Sequence, residues 1–123
     1  MLGEVSGKLI LQHFGISLHT LPKGKYELFD YMTSKGMAVD FKHWSSSLFT
    51  DMDEQYPKIL QKMDSAGVDT VFVINILKTG DHKFMNVRKF GKMTIVEVSY
   101  LYDPEAERFN EEAIEKIRGV CCD

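Results

Sequence analysis

Two acidic side chains and a lysine occupy unusual positions in the segment YELFDYMTSKGMAVDFKHW, residues 26–44. Asp30 and Asp40 each stand within an apolar run, and Lys42 follows the second aspartate. The two runs are typical of a β hairpin with a three-residue loop, whose last residue, Gly36, adopts the left-handed conformation that such loops need. In this register Asp30 lies opposite Asp40, and Lys42 shares their face, while the other face carries Phe29 and Tyr31 against Phe41 and Val39. A two-residue loop would instead place the aspartates diagonally, still close together.

Facing carboxylates repel each other, so this arrangement requires a compensating partner. A shared proton, the Lys42 ammonium or a divalent cation could each supply it. Asp30 and Asp40 offer the hard oxygen ligands that Mg²⁺ and Mn²⁺ take, with positions left for water and a phosphate oxygen. The alternative is that both acids are simply hydrated on an exposed sheet face. The neighbouring side chains favour the metal site over a wet face, since they are Leu28, Met32, Ala38 and Trp44.

The composition is that of one ordinary globular domain over residues 1–123, with 44% hydrophobic and 27% charged residues. No apolar run reaches the length of about 20 residues that crosses a bilayer, so we expect no membrane association. The only cysteines, Cys121 and Cys122, are adjacent and could not staple a core, which favours a reducing, intracellular and cytoplasmic location. The net charge of −3 does not favour binding of nucleic acid by charge alone, although residues 78–92 form a basic segment.

The order of predicted elements indicates a mixed α/β sandwich with a sheet between helices. Val68 to Leu77 is a nearly continuous β-branched and aromatic run, typical of a strand buried on both faces. Two further strands meet at Gly91, and Glu97 on the second of them is expected at the surface. The predicted elements are a helix over 2–14, a short strand over 16–20, the hairpin, a helix from Thr50 or Asp51 to Gly67 that begins near Pro57 or kinks there, strands over 68–77, 83–89 and 92–100, and a helix from Asp103-Pro104 to Arg118.

The same residues resemble a known family. Glu4 in a first helix, Asp30 in a hairpin, and Asp40-Phe41-Lys42 on the next strand, followed by a helix, are similar to the PD-(D/E)xK nuclease superfamily. The resemblance covers residues 2 to about 77 and implies a restriction-endonuclease-like fold, a three-layer sandwich with a central mixed β-sheet flanked by helices. Phe29 stands where the family often has a proline before its first acid.

The resemblance implies a metal-dependent nuclease that hydrolyses phosphodiester bonds in DNA or RNA. Asp30 and Asp40 would hold Mg²⁺ or Mn²⁺, the main-chain carbonyl of Phe41 would add a ligand, and Glu4 would complete the set. Lys42 would orient the attacking water and stabilise charge on the transition state. A Glu in a first helical turn is also favoured by the helix dipole, with no metal required.

Further residues are candidates for contacts with nucleic acid. Trp44 could stack on a base, and basic or amide side chains could reach phosphates. A core-edge tryptophan, a charged amphipathic helix and a lysine-protected strand edge would produce the same pattern. The candidates are Trp44, Lys58, Gln61, Lys83, Arg88 and Lys89.

Two other functions remain open at this point. The chain could be a catalytically inactive nuclease-like module, part of a larger protein, that binds nucleic acid or a protein partner. It could also be an unrelated α/β interaction domain whose aspartates are hydrated. A domain of this size is expected to act with help, either as a homodimer or with attached domains.

Overall fold

A computed structural model describes residues 2–21, 28–42, 52–78 and 85–121. The predicted strand over 68–77 forms as Thr70–Asn75, and its side chains from Val71 to Asn75 are all buried. The elements are helices α1 (Leu2–His13), α2 (Met52–Ala66) and α3 (Glu111–Cys121), and strands β1 (Leu18–His19), β2 (Tyr31–Thr33), β3 (Ala38–Lys42), β4 (Thr70–Asn75), β5 (Met85–Phe90), β6 (Met93–Val98), β7 (Tyr102–Asp103) and β8 (Arg108–Phe109).

Six of the strands form one mixed sheet in the order β1-β2-β3-β4-β6-β5. The three adjacent strands β3, β4 and β6 are parallel, and the remaining pairings are antiparallel. Parallel strands need cover on both faces, which explains the four consecutive apolar residues of β4 from Val71 to Ile74. Strands β7 and β8 pair separately as a small hairpin.

Helices cover both faces of the sheet. On one face Val39 and Phe41 of β3 belong to a buried cluster that includes Leu11 of α1 and Ile114 of α3. The opposite face buries a second cluster that includes Met63 of α2. The predicted mixed α/β architecture, with a sheet between helices, is therefore confirmed.

Close packing of α1 on β3 depends on Gly7. A Cβ atom at this position would lie 2.4 Å from Cδ1 of Phe41, far inside contact distance. A glycine here lets the helix approach the strand directly behind Phe41. The backbone of Glu4 lies one turn earlier on the same helix. The side chain of Glu4 lies outside the described residues.

The predicted hairpin and its register are confirmed. Tyr31 pairs with Val39, Met32 pairs with Ala38, and Thr33 N donates to Met37 O at 2.8 Å. Gly36 has a φ of 82°, the left-handed conformation that the three-residue loop requires. Strand β2 begins only at Tyr31, so Asp30 lies just outside it.

The bend before β2 changes the surroundings of Phe29. The alternation of the predicted strand would place this ring with Tyr31, Val39 and Phe41. Instead, Phe29 packs in the cluster beneath α2, on the other side of the sheet. The prediction was wrong because alternation holds only within a regular strand, and residues 28–30 form a turn and bend.

Helix α2 begins at Met52 and continues through Pro57. The predicted start residues, Thr50 and Asp51, lie outside the described residues. The alternative start near Pro57 is wrong, because the helix already includes Met52. A proline inside a helix removes one backbone donor. The cost is compensated by the apolar face of α2, which packs Tyr56 and Met63 against the sheet.

The last helix begins later than predicted. Asp103 closes a turn instead of capping a helix: its Oδ1 accepts the backbone N–H groups of Glu105 and Ala106. The cap of α3 is Asn110, whose Oδ1 accepts the N–H of Ala113 at 3.3 Å. Aspartate followed by proline starts turns as well as helices, and here the paired strands β7 and β8 determine the outcome.

None of the described helices is long and apolar enough to cross a membrane.

Candidate functional site

Asp40 and Lys42 form an ion pair near the carboxyl end of β3. The Lys42 Nζ lies 2.9 Å from Asp40 Oδ2. The Asp40 side chain is 16% exposed and that of Lys42 is 32% exposed, so both are partly shielded but reachable from solvent. Residues two apart on a strand share a face, which is why the sequence Asp-Phe-Lys brings these groups together.

A cavity of about 90 Å³ lies between these two residues and helix α2. Its apolar part consists of Phe29, Ile59 and Val73. Its polar part consists of Asp40, Lys42, Gln55, Lys58 and Lys62. The volume is sufficient for more than one water molecule, whose share of the liquid is about 30 Å³. With three lysines and one aspartate, the described lining carries a net positive charge and favours an anionic ligand.

Asp30 lies beside the peptide group that joins Asp40 to Phe41. Its Oδ2 accepts the backbone N–H of Phe41 at 2.8 Å. A continued antiparallel ladder would offer that N–H a carbonyl from the preceding part of β2. Asp30 provides the acceptor instead, so its carboxylate is fixed next to Asp40 by the backbone of β3. The structure therefore pairs Asp40 with Lys42 and holds the Asp30 carboxylate against the backbone of β3 between them. A site shared by all three side chains stays a prediction.

The donors around this peptide are suited to a hard divalent cation. Asp30 and Asp40 provide carboxylate oxygens, the ligand type that Mg²⁺ and Mn²⁺ prefer. The N–H and C=O of one strand residue point to the same side, so the carbonyl of Phe41 lies on the side of β3 where its N–H meets Asp30. Within the described part of the chain, no group of three His, Cys, Asp or Glu side chains could hold a metal ion. Two carboxylates and a backbone carbonyl could provide some of the ligands of such an ion, with water and a phosphate oxygen as the others.

The predicted third carboxylate, Glu4, belongs to α1. That helix packs on the Phe41 face of the sheet, whereas the cavity lies on the α2 face. Because the Glu4 side chain is outside the described residues, its role as a ligand stays a prediction.

The predicted contacts with nucleic acid have different locations. Lys58 lines the cavity, whereas Gln61 is exposed and is not among the lining residues. Arg88 and Lys89 are exposed on the edge strand β5 and, as consecutive strand residues, point to opposite faces. Trp44 and Lys83 lie outside the described residues.

Sequence reasoning missed two cavity residues, Gln55 and Lys62. Together with Lys58 they have the spacing i, i+3 and i+7, which places all three on one face of a helix. That spacing could have identified Gln55 and Lys62 in the sequence as neighbours of Lys58. It excludes Gln61, which lies roughly 100° away from Lys62 around a helix with 3.6 residues per turn.

Sequence reasoning also placed Glu97 wrongly, as it did Phe29. Glu97 was expected at the surface, but it is fully buried on β6. Its Oε1 accepts a hydrogen bond from the Tyr56 hydroxyl, and its Oε2 accepts one from Asn86 Nδ2 at 3.3 Å. A buried carboxylate is tolerated when each of its two oxygens accepts a hydrogen bond. No sequence signal reveals these partners, because Tyr56 and Asn86 come from separate elements.

Tyr56 connects α2 to β6 and to the edge strand β5. Its ring lies 5.1 Å from that of Phe90 on β5. Burial, together with the hydrogen bond and negative charge of Glu97, raises the pKa of Tyr56 to about 12, although Arg88 acts in the opposite direction. This contact fixes the position of α2 immediately beside Gln55, and therefore contributes to the shape of the cavity.

No protein-family model matches the sequence. A search of curated proteins also finds no match.

Proposed function

We propose that the protein is a metal-dependent nuclease that hydrolyses phosphodiester bonds, with its active site at Asp30, Asp40 and Lys42. The observation that carries this proposal is the ion pair of Asp40 and Lys42 in a positively charged cavity. A carboxylate that attracts a cation and lysines that attract a phosphate are the two requirements of this chemistry.

The proposal includes membership of the PD-(D/E)xK superfamily and its restriction-endonuclease-like fold. In support, α1 is followed by an antiparallel hairpin, and β3 carries the Asp-Phe-Lys motif. Helix α2 then crosses to β4, which pairs with β3 in parallel. Ligands in such sheets bind near the carboxyl ends of the parallel strands, where Lys42 lies.

In this proposal each residue of the site has one role. Asp30 and Asp40 would hold the ion, with the Phe41 carbonyl as a further ligand. A bound Mg²⁺ or Mn²⁺ would lower the pKa of a water molecule and polarise the phosphate. Lys42 exchanges its bond to Asp40 for one to a phosphate oxygen and stabilises the negative charge that develops there.

Incubation with labelled single- and double-stranded DNA and RNA, with Mg²⁺ or Mn²⁺, tests the proposal. We expect cleavage of at least one substrate, its loss with EDTA, and its loss in Asp40→Ala. Asp64→Asn provides a matched control, because Asp64 is an exposed acid on α2 that does not line this cavity. Cleavage that persists in Asp40→Ala would overturn the proposal.

A second candidate is a binding module without catalysis. The positive lining formed by Lys42, Lys58 and Lys62 favours it, because such a surface binds phosphate without a metal. Calorimetric titration with Mn²⁺ separates the two functions. A nuclease shows metal binding that Asp40→Ala weakens, whereas a pure binding module shows none.

A further inference from the structure

Helix α2 presents a row of polar side chains toward the Asp40–Lys42 pair. Gln55, Lys58 and Lys62 all line the same cavity. Lys58 and Lys62 are four residues apart, which corresponds to about 6 Å along a helix with a rise of about 1.5 Å per residue. The two lysines therefore leave the same side of α2 about one helical turn apart.

The charges in this row are not balanced within the cavity. Lys42 pairs with Asp40, and Asp40 is the only acid among the described lining residues. Among the residues that the structure describes, neither Lys58 nor Lys62 forms an ion pair with a carboxylate. Like charges at positions i and i+4 of a helix repel each other, and an anion bound between Lys58 and Lys62 would relieve this repulsion.

We propose that Lys58 and Lys62 bind two successive phosphates of one nucleic acid strand that runs along α2. Lys58 contacts the phosphate in the cavity, and Lys62 contacts its neighbour one helical turn away. The substrate is accordingly a polynucleotide strand, not a mononucleotide or an isolated phosphodiester. This inference rests on the proposed function, because it assumes that the scissile phosphate lies beside Asp40 and Lys42.

The salt dependence of binding tests the inference without any need for cleavage. Fluorescence anisotropy of a short labelled single-stranded oligonucleotide is measured in EDTA over a range of salt concentrations. Variants are Lys58→Gln, Lys62→Gln and the double variant. The matched control is the double variant Lys35→Gln with Lys92→Gln, which has the same net charge and changes two exposed lysines in the β2–β3 and β5–β6 turns.

Each phosphate contact contributes about 0.7 to the slope of log affinity against log salt for a single strand. We expect each single α2 variant to reduce the slope by about 0.7 and the double variant by about 1.4. The control should leave the slope near that of the wild type. If the two lysines share one phosphate, the double variant will reduce the slope by only about 0.7, which overturns the proposal.

Two further results would also overturn it: equal losses in the control and the α2 double variant, or no binding by the wild-type protein. The proposed function is tested separately by cleavage with Mg²⁺ or Mn²⁺. Binding that follows the expected slopes without cleavage contradicts the nuclease and leaves the strand-binding row intact. Cleavage that depends on Asp40, with unchanged binding in the α2 variants, supports the nuclease and overturns the proposal that Lys58 and Lys62 bind the strand.

Discussion

Two carboxylates on the same face of the sheet have different environments. In the register of the sheet, Asp40 on β3 pairs with Val73 on β4, and Val73 pairs with Glu97 on β6. Two strand spacings of about 4.8 Å separate the acids, roughly 10 Å in all. Asp40 is partly exposed and paired with a lysine, whereas Glu97 is fully buried and bonded to a tyrosine and an asparagine.

The difference shows how α2 can give Glu97 a structural role and leave Asp40 accessible to a ligand. Tyr56 covers Glu97 and gives it a neutral donor, so this carboxylate has its bonds within the protein. On the side of α2 that faces β3, lysines and Gln55 surround a cavity instead. An ion pair at a partly exposed site contributes little to stability, about 0–1 kcal/mol. Asp40 can therefore exchange its partner for a ligand at low cost, and Glu97 cannot.

The largest expected effect comes from changing the two acids to their amides. In Asp40→Asn we expect cleavage to fall by more than the factor of about 10²–10³ that a single electrostatic donor supplies, because the ion loses a charged ligand. Glu97→Gln, the matched change at the buried site, should retain most of the activity. Cleavage kinetics with Mg²⁺ measure both. Similar losses in the two variants would contradict the division of roles.

The second expected effect concerns Lys42. Lys42→Met keeps the length of the side chain but removes its charge, and we expect kcat to fall by about 10²–10³. The melting temperature should change little, because the ion pair is about one-third exposed at its lysine. Single-turnover cleavage and thermal unfolding provide the two measurements. A large drop in melting temperature with normal kcat would mean that Lys42 serves the fold alone.

The same two acids show what a sequence reveals about a fold. The hairpin register was predictable, because the loop ending at Gly36 and the alternation of β3 fix it locally. Asp40 and Lys42 were accordingly identified as neighbours. The burial of Glu97 was not predictable, because it depends on Tyr56 and Asn86, which reach it from α2 and β5. Contacts between distant elements leave no local pattern.

The start of the last helix illustrates a related limit. Asp103-Pro104 is a valid local signal for a helix, but it is also a valid signal for a turn. The pairing of Tyr102 with Phe109 selects the turn, and this pairing is visible only in the folded chain. On α2, by contrast, the spacing of Gln55, Lys58 and Lys62 was present in the sequence and was overlooked.

The third expected effect is a loss of stability at the buried acid. Glu97→Ala leaves the Tyr56 hydroxyl and the Asn86 amide without their acceptor and creates a cavity in the core. We expect a decrease of about 2–4 kcal/mol in the free energy of unfolding. Asp40→Ala should cost less than about 1 kcal/mol. Urea unfolding of both variants tests the difference, and equal costs would contradict the contrast between the sites.

The smallest expected effect is a dependence of the free energy of unfolding on pH that arises from the ionisation of Tyr56. Because the folded-state pKa is about 12 and the ordinary value is 10.0, the neutral hydroxyl is favoured by folding. Its contribution is complete below pH 10 and is lost as the pH rises toward 12, since the unfolded chain ionises first. Tyr56→Phe removes this contribution, so its stability deficit relative to the wild type should shrink over that interval. Urea unfolding of both proteins between pH 9 and 12 measures the difference, which cancels the titration of the lysines that they share. A deficit that stays constant with pH would mean that the Tyr56 hydroxyl does not anchor α2 to Glu97, and that the cavity beside Gln55 is held by apolar packing alone.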